Sequence, residues 1–189
     1  MNTLRVLLLD FARSFIAPGR LYGDIRDGRR SPSWLCVLIY CAAYVGGAIW
    51  LHLNGFTPFS QPWITLDPRI YYFAEAIYLT PLVFLVWILG AGTTHVLATR
   101  IGGEGSFDIT FRMTGYSFWA PWYPLIVVDS IHSTPDWLYN TTLAVSVAWL
   151  LVGTTVATRL AQRLSWSRAI GVTLAAIIVI AGITLTFIR

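Results

Sequence analysis

The chain has 189 residues, of which 56% are hydrophobic and 12% charged; this excludes a soluble globular domain, in which roughly 45 to 50% apolar residues are usual. Several apolar runs of about 20 residues are long enough to cross a hydrocarbon core of roughly 30 Å, so the sequence predicts an all-α, polytopic membrane protein. The formal charge of +4 is the difference between 13 basic residues, all arginine, and 9 acidic ones. Most of the arginines lie beside apolar spans, where the positive-inside rule explains them without a nucleic-acid partner.

The first predicted element is an amphipathic helix over residues 4–16. Its apolar arc contains Leu4, Leu7, Leu8, Phe11 and Phe15, with Arg5, Asp10 and Arg13 elsewhere on the helical wheel. The sequence "APG" at residues 17–19 ends the helix, which is too short to span a bilayer. We expect it to be interfacial or to pack against partner helices, so that residues 1–33 form a cytoplasmic amphipathic segment ahead of a membrane domain over residues 34–189.

Five apolar stretches then predict five transmembrane helices. They cover about Trp34–Leu53, Phe73–Thr99, Met113–Ile131, Trp137–Leu160 and Arg168–Ile188. The third stretch contains Pro121 and Pro124, and each proline lacks a backbone donor. We therefore expect the third span to be kinked or partly unwound.

The arginine distribution predicts the orientation of these spans. With the N-terminus in the cytoplasm, most arginines fall on the cytoplasmic side and only Arg69 and Arg189 on the other, which indicates an N-in, C-out topology. Trp34 and Trp166 fall at predicted inner boundaries, as is typical of aromatic belts. Because arginine replaces lysine throughout, we expect a protein from a GC-rich bacterium, located in the cytoplasmic (inner) membrane.

A glycine cluster follows the second predicted span. It comprises Gly102, Gly103, Glu104, Gly105, Ser106, Phe107 and Asp108. The cluster lacks the spacing and the lysine of a phosphate-binding loop, and its two acids would repel phosphate. We expect Gly102 and Gly103 to end the second span, and Ser106 to cap a short helix with Asp108 in its first turn. The alternative is a cytoplasmic interaction loop that contacts a ligand or partner through Glu104 and Asp108.

Two acidic residues lie near the outer ends of predicted spans. Glu75 and Asp129 are costly in hydrocarbon, so each is expected to find water or a partner, and Arg69 is a candidate partner for either. A larger polar cluster would add His52, His132 and Asp136, which would allow metal binding or proton relay. The spacing matches no metal motif such as H-E-x-x-H, so interfacial ion pairing is the simpler interpretation and no metal site is predicted.

The remaining reactive side chains do not form a recognisable catalytic pattern. His95 is the one histidine inside a predicted membrane core, where no second histidine offers haem a partner, and we interpret it as a hydrogen-bonded packing residue. Cys36 and Cys41 lie on different sides of one helix, so we expect buried, reduced thiols. No nucleophile elbow, carboxylate pair or cysteine–histidine pair is evident, and the sequence predicts neither an enzyme nor a cofactor.

The segment "IGGEGSFDITFRMTGYSFWAPWYPLI" resembles the signature of the Yip family of Rab-interacting, five-span membrane proteins. The matching residues are Gly102, Gly103, Gly105, Ser106, Phe107, Gly115, Tyr116, Pro121 and Pro124, and, in the upstream "APGRLYGDI", Pro18, Leu21, Tyr22 and Ile25. The resemblance covers about residues 17–189. It implies five helices, a cytoplasmic N-terminus and association with itself or with other membrane proteins. Eukaryotic members act in vesicle traffic with prenylated Rab GTPases, but this chain lacks their long cytosolic arm.

Two functional hypotheses result. The first is a non-catalytic membrane protein of Yip type, acting in protein association or membrane organisation, including as an accessory subunit of a larger complex. Its partners are then the lipid bilayer and other membrane proteins or further copies of itself. The alternative is a transporter or lipid-moving protein in which Glu75 and Asp129 line a path along the proline-broken third span.

Overall fold

The computed structural model describes residues 3–29, 32–57, 67–129 and 135–188. Every regular element within these ranges is helical, which confirms the all-α class. The helices are α1 (Thr3–Ile16), α2 (Pro18–Arg26), α3 (Ser33–Leu53), α4 (Tyr71–Arg100), α5 (Phe107–Ser117), α6 (Tyr123–Asp129), α7 (Asp136–Gln162) and α8 (Trp166–Ile188), with a 3-10 turn at Ala120–Trp122.

Three of the helices, α3, α4 and α7, are long and apolar enough to cross a membrane. Helix α8 is apolar over Trp166–Gly182 and occupies the region of the fifth predicted span. Large apolar side chains such as Ile77 of α4 and Val145 of α7 point outward, as is typical of helices whose exterior is hydrocarbon rather than water. The fold is that of a helical membrane protein, while the count of five spans and the orientation stay predictions.

The third predicted span, Met113–Ile131, is not a single helix. The short helix predicted to start after Ser106 and the first part of this span form one helix, α5, which begins at Phe107 and ends at Ser117. The 3-10 turn follows, and α6 starts at Tyr123. Pro121 lies in the turn and Pro124 in the first turn of α6, where the missing N–H leaves no helical hydrogen bond unmade. The break predicted from the prolines is confirmed, and its physical cause is the one expected.

Helix α5 packs along α4 around Trp87. The indole ring of Trp87 stacks on Phe111 with 4.0 Å between ring centroids. Its Nε1 atom donates to the carbonyl oxygen of Phe111 at 3.0 Å and to Oγ1 of Thr114 at 3.2 Å. A Cβ atom on Gly115 would lie 2.9 Å from the same ring, so glycine permits this close approach. The packing brings the start of α5 beside the end of α4.

Helix α2 was not predicted from the sequence. The helix end predicted at residues 17–19 is an interruption of only one residue, Ala17. Pro18 takes the first position of the next helix, which suits its fixed φ. The buried face of α2 consists of Leu21, Tyr22 and Ile25. The Tyr22 hydroxyl lies beside α7, where a Cβ atom on Gly153 would be at an ordinary van der Waals distance of 3.9 Å from it. Helices α1 and α2 therefore form a hairpin, of which α2 is packed on α7.

The buried face of α1 differs from its predicted apolar arc. Leu7, Asp10 and Ser14 are buried, whereas Leu8 is 60% exposed. The carbonyl oxygen of Ser14 accepts a hydrogen bond of 3.2 Å from Nε1 of Trp149, which lies midway along α7. Polar groups thus face the protein and an apolar side chain faces outward, the arrangement expected where the surroundings are hydrocarbon.

Candidate functional site

The glycine cluster ends α4 in a defined C-terminal cap. Gly102 has a φ of 91°, in the left-handed region that favours glycine. Its N–H donates to the carbonyl oxygen of Thr99 at 3.2 Å, and the N–H of Gly103 donates to that of Ala98 at 2.9 Å. This pair of bonds is a Schellman motif, which satisfies two of the last carbonyl groups of the helix. The predicted capping role of the glycines is confirmed.

The next residues of the cluster press against the end of α7. The N–H of Glu104 donates to the carbonyl oxygen of Gln162 at 3.1 Å. A Cβ atom on Gly105 would lie only 1.8 Å from the carbonyl oxygen of Ala161, and one on Gly103 would lie 2.9 Å from Oε1 of Gln162. Only residues without a side chain allow this approach, so these glycines serve packing as well as helix capping.

The side chain of Gln162 is the hub of this contact, and sequence reasoning did not identify it. The residue is fully buried. Its Oε1 atom accepts from the N–H of Gly105 at 3.2 Å, and its Nε2 atom lies 2.7 Å from Oγ1 of Thr110 and 3.0 Å from Nδ1 of His95. Because Oε1 is the acceptor, Nε2 donates to both. His95 is therefore a hydrogen-bonded packing residue, as predicted.

The short helix after the cluster is capped as the sequence predicts. Oγ of Ser106 accepts a hydrogen bond of 3.3 Å from the N–H of Ile109. Asp108 lies in the first turn, near the positive end of the helix dipole. It also pairs with Arg112 one turn later, at 2.8 Å between carboxylate and guanidinium. The start of α5 is thus fixed by local contacts.

The side chains of the cluster project away from this fixed backbone. The side chains of Glu104 and Asp108 are 73% and 62% exposed, and Phe107 beside them is also exposed. Glu104 lies 3.9 Å from Arg163, a distance and exposure at which an ion pair is worth about 0 to 1 kcal/mol. We call the surface formed by Glu104, Phe107 and Asp108 the loop surface. Its acids are accessible to a partner on a backbone that is already ordered.

The side chain of Glu75 is buried near the start of α4. The hydroxyl of Tyr44 on α3 donates to its Oε1 atom at 3.1 Å. Arg69, the partner suggested by the sequence, is exposed, and its backbone N–H donates to Asp67. The structure therefore places a tyrosine against Glu75, which sequence reasoning did not anticipate. The side chain of Asp129, like His132 and Arg189, lies outside the described residues.

A second charged group ties the N-terminal hairpin together. Asp10 of α1 is fully buried and pairs with the guanidinium group of Arg29. Arg29 also lies 3.8 Å from Asp24 of α2, which in turn lies 3.4 Å from Arg13 of α1. Pairing is what makes a buried carboxylate tolerable, because an isolated ion in an apolar interior carries a large desolvation cost. This network fixes α1, α2 and the following turn relative to one another.

In the described part of the chain, no group of three or more histidine, cysteine, aspartate or glutamate side chains is arranged to hold a metal ion. Cys36 and Cys41 are buried free thiols, as expected. Accessible charge is present at the loop surface, and a buried acid is present in the contact between α3 and α4.

Comparison with known proteins connects these features to a family. No curated protein and no solved structure matched the chain. The family model described as the Yip1 domain matches residues 12–188, a range that includes the glycine cluster, Gln162, the broken segment between α5 and α6, and most of the N-terminal hairpin. The chain therefore belongs to the Yip1-domain family of membrane proteins.

Proposed function

We propose that this Yip1-domain protein is a non-catalytic membrane protein that associates with other membrane proteins, or with further copies of itself, through its loop surface. The observation that carries the proposal is the contrast at the glycine cluster. The backbone is fixed to α7 through Gln162, while the side chains of Glu104 and Asp108 point outward. A fixed backbone loses little conformational entropy on binding, which favours recognition by such a segment.

The composition of the loop surface indicates the kind of partner. Glu104 and Asp108 pair with Arg163 and Arg112 of the same chain, but exposed pairs of this kind contribute only about 0 to 1 kcal/mol, so a basic patch can compete for both carboxylates. The exposed ring of Phe107 between them offers apolar contact. A combination of one aromatic anchor with charged neighbours is common in protein interfaces. The proposed partner is therefore a protein with a basic surface. It belongs to a larger membrane complex in which this chain is an accessory subunit.

The proposal includes a bacterial inner membrane with the loop surface in the cytoplasm. Supporting it, Arg100, Arg163 and Arg168 lie at the helix ends nearest the loop surface, and Arg112 lies one turn after Asp108. Arg69 precedes the opposite end of α4. Positive charge gathered at one end is the distribution expected for the cytoplasmic side.

Purification of the tagged full chain in a mild detergent tests the association. The wild-type protein should migrate as an oligomer or with a stoichiometric partner, and the double variant Glu104→Gln, Asp108→Asn should lose that species. Asp136→Asn is the matched control, because Asp136 is an exposed acid at the other end of the bundle. A wild-type chain that is monomeric and alone at every detergent concentration would contradict the proposal.

A transporter or lipid-moving protein is the second candidate, favoured by the burial of Glu75 in the contact between α3 and α4. In this case Glu75, with Asp129, would line a path along α5 and α6. The purified protein in liposomes should then move solute or lipid, and Glu75→Gln should abolish the movement while still accepting the Tyr44 hydrogen bond. Flux from a lone monomer that depends on Glu75 would favour this candidate over association.

A further inference from the structure

Three arginine side chains surround the turn between α7 and α8. Arg159 lies in the last turn of α7, Arg163 caps it and Arg168 lies in the first turn of α8. The guanidinium group of Arg159 lies 4.6 Å from the ring centroid of Trp166. Nη1 of Arg168 donates to the carbonyl oxygen of Ile101 at 3.3 Å. We call Arg159, Arg163 and Arg168 the arginine cluster.

The arginine cluster has more positive charge than its neighbours neutralise. Among the described residues, Arg159 and Arg168 form no ion pair, and Arg163 has only the 3.9 Å contact with Glu104. Arg13, Arg29 and other arginines of the same chain, by contrast, have close carboxylates. Nε of Arg159 is buried and has no hydrogen-bond partner within the described part of the chain. The cluster thus carries guanidinium charge that nearby carboxylates neutralise only weakly, and a ring and a carbonyl group hold Arg159 and Arg168 in place.

An apolar track begins directly beside this cluster. Trp166, at the start of α8, is 52% exposed, and the exposed residues Ile170, Leu174 and Ile178 follow it at intervals of four. Residues four apart lie on one face of a helix, so these side chains form a continuous stripe down α8. Tryptophan is enriched at the level of lipid headgroups. The guanidinium groups therefore lie where apolar stripe and polar boundary meet.

We propose that the arginine cluster binds the phosphate headgroup of an anionic phospholipid whose acyl chain lies along the stripe from Trp166 to Ile178. Guanidinium groups bind phosphate oxygens through paired charge-assisted hydrogen bonds, and basic pockets at the ends of membrane helices are suited to anionic headgroups. The hydroxyls of Ser165 and Ser167, 3.3 Å apart, lie in the same turn as further donors. The apolar stripe selects a lipid over a soluble phosphate, which would gain nothing from it.

Native mass spectrometry of the detergent-solubilised full chain tests this site with phosphatidylglycerol, phosphatidylcholine and inorganic phosphate as probes. The wild type should retain phosphatidylglycerol saturably, at one molecule per chain, and retain phosphatidylcholine on the order of tenfold less. The double variant Arg159→Gln, Arg168→Gln should lower phosphatidylglycerol retention on the order of tenfold. Arg20→Gln is the matched control, because Arg20 is an exposed arginine on α2, and should leave retention unchanged.

Three results would overturn the proposal. They are equal retention of phosphatidylcholine, an equal loss in Arg20→Gln, and full competition by inorganic phosphate, which would indicate a soluble-anion site. If the double variant does not fold, Arg163→Gln decides the outcome, because Arg163 is 69% exposed and its replacement should not disturb packing. That variant should lower phosphatidylglycerol retention about threefold, and unchanged retention would likewise reject the site.

Discussion

The side-chain amide of Gln162 accepts a hydrogen bond of 3.2 Å from the backbone N–H of Gly105, across 57 residues of sequence. Through this bond the last residue of α7 fixes the loop that joins α4 to α5. The same amide donates to His95 and Thr110, so one buried side chain connects three helices. The position of the loop surface therefore depends on a residue that does not belong to it.

Replacement of Gln162 by leucine should destabilise the protein. Leucine is of similar size but leaves the Gly105 N–H and His95 without this partner, at about 1 to 3 kcal/mol for each buried group left unsatisfied. The Thr110 hydroxyl keeps its hydrogen bond to the carbonyl oxygen of Ser106. Thermal unfolding in detergent should show a clearly lower Tm. Asn140→Leu, at an exposed position on α7, should change the Tm little, and a Gln162→Leu protein as stable as this control would refute the hub role.

The substitution Gly105→Ala tests the close approach of the loop to α7. The new Cβ atom would lie 1.8 Å from the carbonyl oxygen of Ala161, so the backbone must move, at a cost of about 1 to 3 kcal/mol. Gly171→Ala is the matched control, because no atom lies within 4 Å of the added Cβ there and alanine favours a helix. The unfolding temperature should fall for the first variant and stay equal or rise for the second.

Contacts that are local in sequence could be predicted, and distant ones could not. The C-terminal cap at Gly102 and the N-cap at Ser106 depend on residues within a few positions, so the local sequence is enough to predict them. The partners of Gln162 and Glu75 lie on other helices, and a single sequence carries no signal for such pairs. Gln162 does stand out as an uncharged polar residue at the end of a long apolar helix, which was the one available sign of its role.

The N-terminal hairpin shows why an amphipathic pattern was misleading. On the wheel, Asp10 lies away from the apolar arc, as a solvent-facing residue would in a soluble helix. In the structure Asp10 faces inward to Arg29 and Leu8 faces outward. The buried face is set by the ion pair with Arg29 and by the contact of Ser14 with Trp149 on α7, which a helical wheel of one segment cannot show.

The substitution Asp10→Asn should loosen the hairpin. It removes the buried carboxylate and leaves the partly exposed guanidinium group of Arg29 with a weaker partner, at a cost of about 2 kcal/mol after allowance for solvent screening. Limited proteolysis should cleave the variant faster between α1 and α3. Asp27→Asn is the control, since Asp27 pairs with Arg26 at the surface, and equal cleavage rates for both variants would contradict a structural role for Asp10.

The burial of the Tyr22 phenol leads us to expect a loss of folding stability at alkaline pH. Burial raises the pKa of its phenol in the folded protein, so the unfolded chain, with a pKa near 10, releases the proton first. Stability from this group is fully present below about pH 10 and falls by about 1.4 kcal/mol per pH unit above it. Chemical unfolding between pH 8 and 11 should show a shallower decline for Tyr22→Phe. Tyr139→Phe, at an exposed position, should decline as the wild type does.

Single cysteines test the proposed topology. In a Cys36→Ala, Cys41→Ala background, Glu104→Cys places a thiol at the loop surface and Asp136→Cys places one at the start of α7, and both positions are exposed. Because the arginine bias predicts that the loop surface lies in the cytoplasm, a membrane-impermeant maleimide should label position 136 on intact cells, and position 104 only after the membrane is opened. Labelling of position 104 but not 136 on intact cells would show that the predicted N-in orientation is wrong. The loop surface would then lie outside the cytoplasm, where no cytoplasmic partner could bind it.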